Sequence, residues 1–140
     1  MNICKIKEKL DSVPSIYKSI GMELISTDDA ETVMARMKVD ENTRQPFGYL
    51  SGGASLALAE TLAGAGSYIL CPDCISVGVN VSGTHIKPVP EGITVTAIAR
   101  ILHKGNRVHN WQVYIKDSSG DIVANIQVTN YLSSSYKCNF

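Results

Sequence analysis

Residues 4–20 place their apolar side chains at helical spacing, as a short amphipathic helix interrupted near Pro14. The rhythm then changes to period two. Across residues 31–39, Val33, Ala35, Met37 and Val39 alternate with Thr32, Arg36 and Lys38, the pattern of a half-buried strand. Residues 21–26 form its hairpin partner across the Asp28-Asp29 turn. Residues 40–50, DENTRQPFGYL, read as a loop punctuated by Pro46 and Gly48. The run SGGASLALAETLAGAGSYIL is too long for one strand and rich in Ala and Leu, so it predicts a helix capped near Ser51 or Gly52 and stopped by Pro72 and Asp73. Four further alternating runs follow at 75–87, 93–103, 107–116 and 121–132. The links PVPEG, KGN and DSSGD fit hairpins. This order predicts an α+β fold, an antiparallel sheet wrapped around one long, nearly all-apolar helix.

The chain has 140 residues, 44% hydrophobic and 19% charged, which excludes disorder and fits a single domain over 1–140 with 133–140 as a tail. Thirteen basic residues balance thirteen acidic ones, so no nucleic-acid partner is expected, whereas self-association is. Charges interrupt every apolar stretch of the N-terminus, so no secretory signal is read there, and Glu60 in the middle of the most apolar run argues against a membrane span. These features point to the cytoplasm, where Cys4, Cys71, Cys74 and Cys138 are expected to remain thiols. The Cys71-Pro72-Asp73-Cys74 spacing gives at most half of a four-ligand zinc site, so no metal is expected. His103 and His109 read as surface residues or as lying behind a site, and Trp111 as core or interface.

Glu60 is the sharpest chemical feature. No other charge lies between Arg44 and Asp73, and no cation stands three or four residues away on its helix. An unpaired carboxylate in apolar surroundings costs several kcal/mol and is concentrated at active sites. The second feature is the Gln45-Pro46-Phe47-Gly48-Tyr49-Leu50-Ser51-Gly52-Gly53 junction. Its glycines open the backbone N–H groups at a helix start to a developing oxyanion.

QPFGYLSGGASLALAET, VGVNVSGTHIKPVPEG and LHKGNRVHNWQVYI together resemble hotdog-fold acyl-CoA thioesterases of the phenylacetate-pathway type. The branch they look most like holds the 1,4-dihydroxy-2-naphthoyl-CoA and Arthrobacter-type 4-hydroxybenzoyl-CoA enzymes. The resemblance implies hydrolysis of an aryl or medium acyl-CoA, with no cofactor, since CoA is part of the substrate. It places the helix carboxylate on Glu60 as nucleophile or general base and the oxyanion N–H on Gly52. It sets Gln45 near the thioester or attacking water and Thr61 beside the carboxylate. It puts His85, Lys87, Lys104, Asn106 and Arg107 where the pantetheine and phosphates are handled. Two departures stand out. The family's His before the Gly-Gly pair is Ser51, and its Ser or Thr one turn after the carboxylate is Gly64. Both leave a weakly catalytic acyl-CoA-binding protein as the alternative. A dehydratase is disfavoured because no His lies between residues 1 and 84.

Gly52 and Glu60 are eight residues apart, about 12 Å along a helix at 1.5 Å per residue. A Glu side chain recovers only part of that distance. One thioester carbonyl therefore needs Gly52 from one chain and Glu60 from another, as in a homodimer, and the resemblance implies that dimers pair into a tetramer.

Overall fold

The computed structural model describes residues 1–134. Among them are α1 (Cys4–Ser12), α2 (Ile16–Ser19), β1 (Glu23–Ile25), β2 (Thr32–Lys38), α3 (Gly52–Leu70), β3 (Ile75–His85), β4 (Thr94–Lys104), β5 (Val108–Lys116) and β6 (Ile122–Ser133). The strands form one antiparallel six-stranded sheet in the order β1-β2-β4-β5-β6-β3. The break between α1 and α2 contains Pro14, whose ring cannot continue a helix. Among the described residues no helix is long and apolar enough to cross a membrane.

The expected alternation decides which face of the sheet is covered. Val33, Ala35 and Met37 of β2, Val95, Ala97 and Ala99 of β4, Trp111, Val113 and Ile115 of β5, and Ala124, Ile126 and Val128 of β6 are all buried. They line the concave face on which α3 lies, and α3 answers with Leu58, Ala59, Leu62, Ala63, Ala65 and Gly66. The approach is close. A Cβ on Gly66 would stand 2.6 Å from Cη2 of Trp111 and 3.0 Å from Val33.

Three expectations change. The PVPEG segment is not a hairpin. β3 pairs with β6 and β4 with β2, so this segment crosses from the sheet edge to its interior. β3 is therefore an edge strand, and its apolar row is not buried: Val77 is 43% and Val79 61% exposed. A register shift between Gly78 and Asn80 breaks the alternation there. The third change is that Cys71 and Cys74 are joined as a disulfide, while Cys4 is free and exposed. Cys138 and most of the 133–140 tail lie outside the described residues.

His109 is not a surface residue but is buried, in a polar cluster under the second half of α3. The Ser67 hydroxyl oxygen accepts from Trp111 Nε1 at 2.9 Å and from Asn130 Nδ2 at 3.0 Å. The same hydroxyl lies 3.1 Å from His109 Nδ1. Burial, with Lys104 and His103 adding repulsion, holds the His109 pKa below the ordinary 6.5.

Two stability outcomes follow from this packing. Gly64 has nothing within 4 Å of a Cβ, so Gly64→Ala should stabilise by about 0.5–1 kcal/mol through helix propensity. Gly66→Ala gains the same propensity but drives a methyl into an indole fixed by its hydrogen bond to Ser67, and overpacking of this kind costs about 1–3 kcal/mol. Denaturant melts should therefore move in opposite directions for the two variants, and a stabilised Gly66→Ala would contradict the seating of α3. As pH falls through the ordinary histidine value the unfolded chain takes up a proton at residue 109 and the folded chain does not, so stability falls with pH in that window. The decline in melting temperature between about pH 7.5 and 5.5 should be shallower in His109→Gln. Equal slopes would show that His109 is not held neutral.

Candidate active site

The loop before α3 is tied down from several sides. Thr43 is buried, donates its hydroxyl to Lys38 O at 2.9 Å and accepts from Asp40 N–H at 3.0 Å. Ser51 N–H donates to Thr43 O at 2.9 Å and Leu50 N–H to Val89 O at 2.8 Å. Arg44 forms an ion pair with Glu91 at 2.6 Å across the same two segments. Within this frame Gln45 to Gly48 form a turn, Gly48 N–H donating to Gln45 O at 3.0 Å, with Gly48 at φ 86° where glycine is favoured. The Gln45 side-chain oxygen accepts from Phe47 N–H. That contact spends the carbonyl end of the amide and leaves its NH₂ as the donor available to a ligand.

The loop delivers the chain to Ser51, the extended N-cap of α3, which makes no side-chain capping bond. N–H groups of the first helical turn lack acceptors within the helix and carry its positive dipole end. His85, at the end of β3, lies directly over this backbone: a Cβ on Gly52 would be 2.6 Å from His85 Nε2. Gln45, Tyr49, Gly52, Ser55, His85 and Lys87 line a cleft of about 280 Å³. The structure thus brings Gln45 and Gly52 together and sets His85 beside them. Ser55 and Tyr49 were not singled out by sequence, although Tyr49 sits inside the QPFGYL run and Ser55 one turn beyond Ser51.

Lys87 reaches the cleft already neutralised. Its ammonium is 2.6 Å from both Asp117 and Asp121, which push its pKa up and hold Asp117 below the usual carboxylate range. Its charge is paired within the chain at the rim of the cleft. Lys104, Asn106 and Arg107 occupy the β4–β5 hairpin at the opposite end of the sheet. Leu132 N–H donates to Arg107 O there at 2.8 Å, next to the Ile75–Ser133 pair, while His85 pairs with Ala124. Within one chain these residues do not meet the cleft.

Glu60 does not meet it either. Its carboxylate packs on Gly78 of β3, where any Cβ would collide with Oε1. Gly78 and His85 are seven positions apart on β3, roughly 23 Å of extended strand. Glu60 is half-buried rather than sealed in the core. It lies with Ala57, Thr61 and Gly64 on a face of α3 that the sheet leaves partly open. Among the described residues no group of three His, Cys, Asp or Glu side chains could hold a metal ion.

Residues 47–124, which cover α3, β3 to β5 and the cleft lining apart from Gln45, match the Thioesterase superfamily. The chain is 39% identical over 116 residues to the ComA2 protein of Bacillus subtilis, covering 81% of this chain and 90% of that one. It is 38% identical over 111 residues to the proofreading thioesterase EntH of Cronobacter turicensis, covering 78% and 79%. Among solved structures, thioesterase HI1161 of Haemophilus influenzae superimposes with a TM-score of 0.87 at 26% identity, over 100% of this chain and 96% of that one. With its hotdog sheet, central helix and these relatives, the chain belongs to the Thioesterase superfamily and is a thioester hydrolase.

Proposed function

We propose that this protein hydrolyses an acyl-CoA thioester with an aryl or medium acyl group, in a site completed by two copies of the chain. On this reading it is a cytoplasmic enzyme of the hydroxynaphthoyl- and hydroxybenzoyl-CoA type, working without metal or prosthetic group. The observation that carries the shared site is the position of Gly52 and Glu60 against β3. One carbonyl needs both within about 3–3.5 Å, and one chain holds them against residues 85 and 78 of the same strand.

The exposed edge of β3 offers the remedy. Antiparallel pairing of two β3 edges about a two-fold axis at Val81 or Ser82 sets Gly78 of one copy within a residue of the level of His85 in the other. Glu60 of one copy then faces Gly52, Gln45 and His85 of its mate. Ala57, a small residue on the same open face as Glu60, leaves room for the second helix. The same rotation carries the Lys104–Arg107 hairpin of one copy to the end of the sheet where the other copy's cleft opens, which suits contact with CoA phosphates. A tetramer pairs two such dimers.

The chemistry follows from these positions. The thioester carbonyl oxygen takes the Gly52 N–H and the Gln45 NH₂ as negative charge develops on it. Glu60 either attacks the carbonyl carbon or takes a proton from the water that does, with Thr61 next to it in sequence. The C–S bond then breaks and the CoA sulfur leaves as thiolate; where Glu60 attacked directly, water then cleaves the resulting anhydride, releasing the carboxylic acid and restoring Glu60. Ser51 leaves the region without the usual helix-start imidazole, and His85 supplies one from β3. The open space at Gly64 lacks the hydroxyl that orients water in similar enzymes, which predicts slow turnover.

Release of free thiol from a panel of aryl- and medium-chain acyl-CoA thioesters tests the proposal. Glu60→Gln should lower kcat by about 10²–10⁴-fold while ligand binding persists, because it removes the proton acceptor or nucleophile and little volume. Acyl-CoA binding with no thiol release from the wild-type chain, or near-normal turnover in Glu60→Gln, would overturn it.

A further inference from the structure

The turn between α3 and β3 holds a cysteine pair that hydrolysis does not use. Cys71 and Cys74 are bonded through their sulfurs, with Cα atoms 5.5 Å apart. The backbone itself folds them together: Cys71 N–H donates to Ser67 O at 3.0 Å, closing the helix, and Cys74 N–H donates to Cys71 O at 3.0 Å. The thiols are therefore neighbours whether or not the bond is present. Pro72 and Asp73 between them are exposed and both cysteines are half-buried, so the pair lies at the surface of the turn. A disulfide staples a fold chiefly by restricting the unfolded chain, and that gain is smallest for short loops. A bond across two residues is thus a poor staple, and its place at the surface suits one that is made and broken in the folded protein.

We propose that Cys71 and Cys74 form a redox site that passes between disulfide and dithiol by exchange with a small aliphatic thiol. A thiolate attacks one sulfur of the pair, giving a mixed disulfide and releasing the other cysteine as thiolate. A second thiolate attacks the mixed disulfide. The protein disulfide gains two electrons and two protons, and the two thiols leave joined as their own disulfide. Hydrolysis of a CoA thioester releases such a thiol at every turnover, so on the reading proposed above the product is one source and the general thiol pool the other. The joint is placed to be felt. It connects the helix that carries Glu60 to the strand whose Gly78 receives that carboxylate, and reduction opens the closed ring between them.

The test uses the folded wild-type chain, equilibrated without oxygen across graded ratios of reduced to oxidised glutathione and, in parallel, of CoA to CoA disulfide. Acid quenching, alkylation and peptide mass mapping read Cys71 and Cys74 separately from Cys4 and Cys138. Both cysteines should pass together from disulfide to alkylated form with a single midpoint. Amide exchange at 71–78 should rise in the reduced form while that of β2 stays unchanged. Titration in both series supports a site open to any aliphatic thiol, and titration by CoA alone supports the product as its reductant. A pair that stays bonded at the highest thiol ratio, alkylates fully under oxidised disulfide alone, or halts as lasting mixed disulfides overturns the proposal. Exchange at 71–78 that ignores the redox state overturns the role of the joint. In folded Cys71→Ser the remaining Cys74 should accumulate the mixed disulfide that the wild type resolves, and its absence there counts against the site. None of these measurements depends on thioester turnover, so an inactive hydrolase and an inert disulfide remain separately visible.

Discussion

The close seating of α3 on the concave face of the sheet is the constraint on which the rest of the structure depends. It rests on three contacts, each built around a glycine. Trp111 packs against Gly66, the Glu60 carboxylate packs on Gly78, and the His85 imidazole lies over Gly52. A side chain at any of the three would lift the helix or push its partner aside. The buried Ser67–His109–Asn130 cluster ties the far half of the same helix to β5 and β6 through hydrogen bonds. Packing and these bonds together fix how the helix sits on the sheet.

On the proposed reading the same constraint divides the chemistry. A helix rigidly laid against β3 cannot bend its middle toward its own N-terminus, so Glu60 stays apart from Gly52 and Gln45 in one chain. An edge strand with exposed Val77 and Val79 is a ready template for another strand, and natural sheets generally cover or charge such edges. Here the strand carries both contacts, Gly78 with Glu60 and His85 with Gly52. In the proposed dimer, pairing at this edge covers the apolar residues and assembles the site at once.

Much of this was legible in the sequence because period and punctuation are local. Alternation at Val33–Val39 and in the last three strands, the Ala- and Leu-rich run after Gly52, and the loop ending in Ser51-Gly52-Gly53 all fall where the structure has them. Glu60 and the Gln45–Gly52 junction stood out because a charge in an apolar run and glycines at a helix start are local signals too. What escaped was long-range. Nothing local distinguishes a hairpin at PVPEG from a crossover, because that choice depends on which edge β3 reaches after α3 has spanned the sheet. Burial of His109 depends on strand pairing that sets it beside Asn130 and below Ser67. The Lys87 ion pairs escaped as well, because Asp117 and Asp121 lie thirty and thirty-four residues on and only folding brings them to its ammonium. The Cys71–Cys74 bond was misjudged because compartment, not geometry, guided that expectation.

The central claim, that one carbonyl is served by Gly52 and Gln45 of one copy and by Glu60 of another, is tested most directly by subunit mixing. A chain carrying Glu60→Ala and a chain carrying Gln45→Ala each disable every site of their own homodimer. Unfolded and refolded together, they form heterodimers with one doubly altered site and one intact site. The account predicts that thioester turnover reappears in those heterodimers, up to about half the wild-type rate per dimer. Verified heterodimers that remain as inactive as their parents would show that the two residues serve the same chain, and the shared site would be wrong.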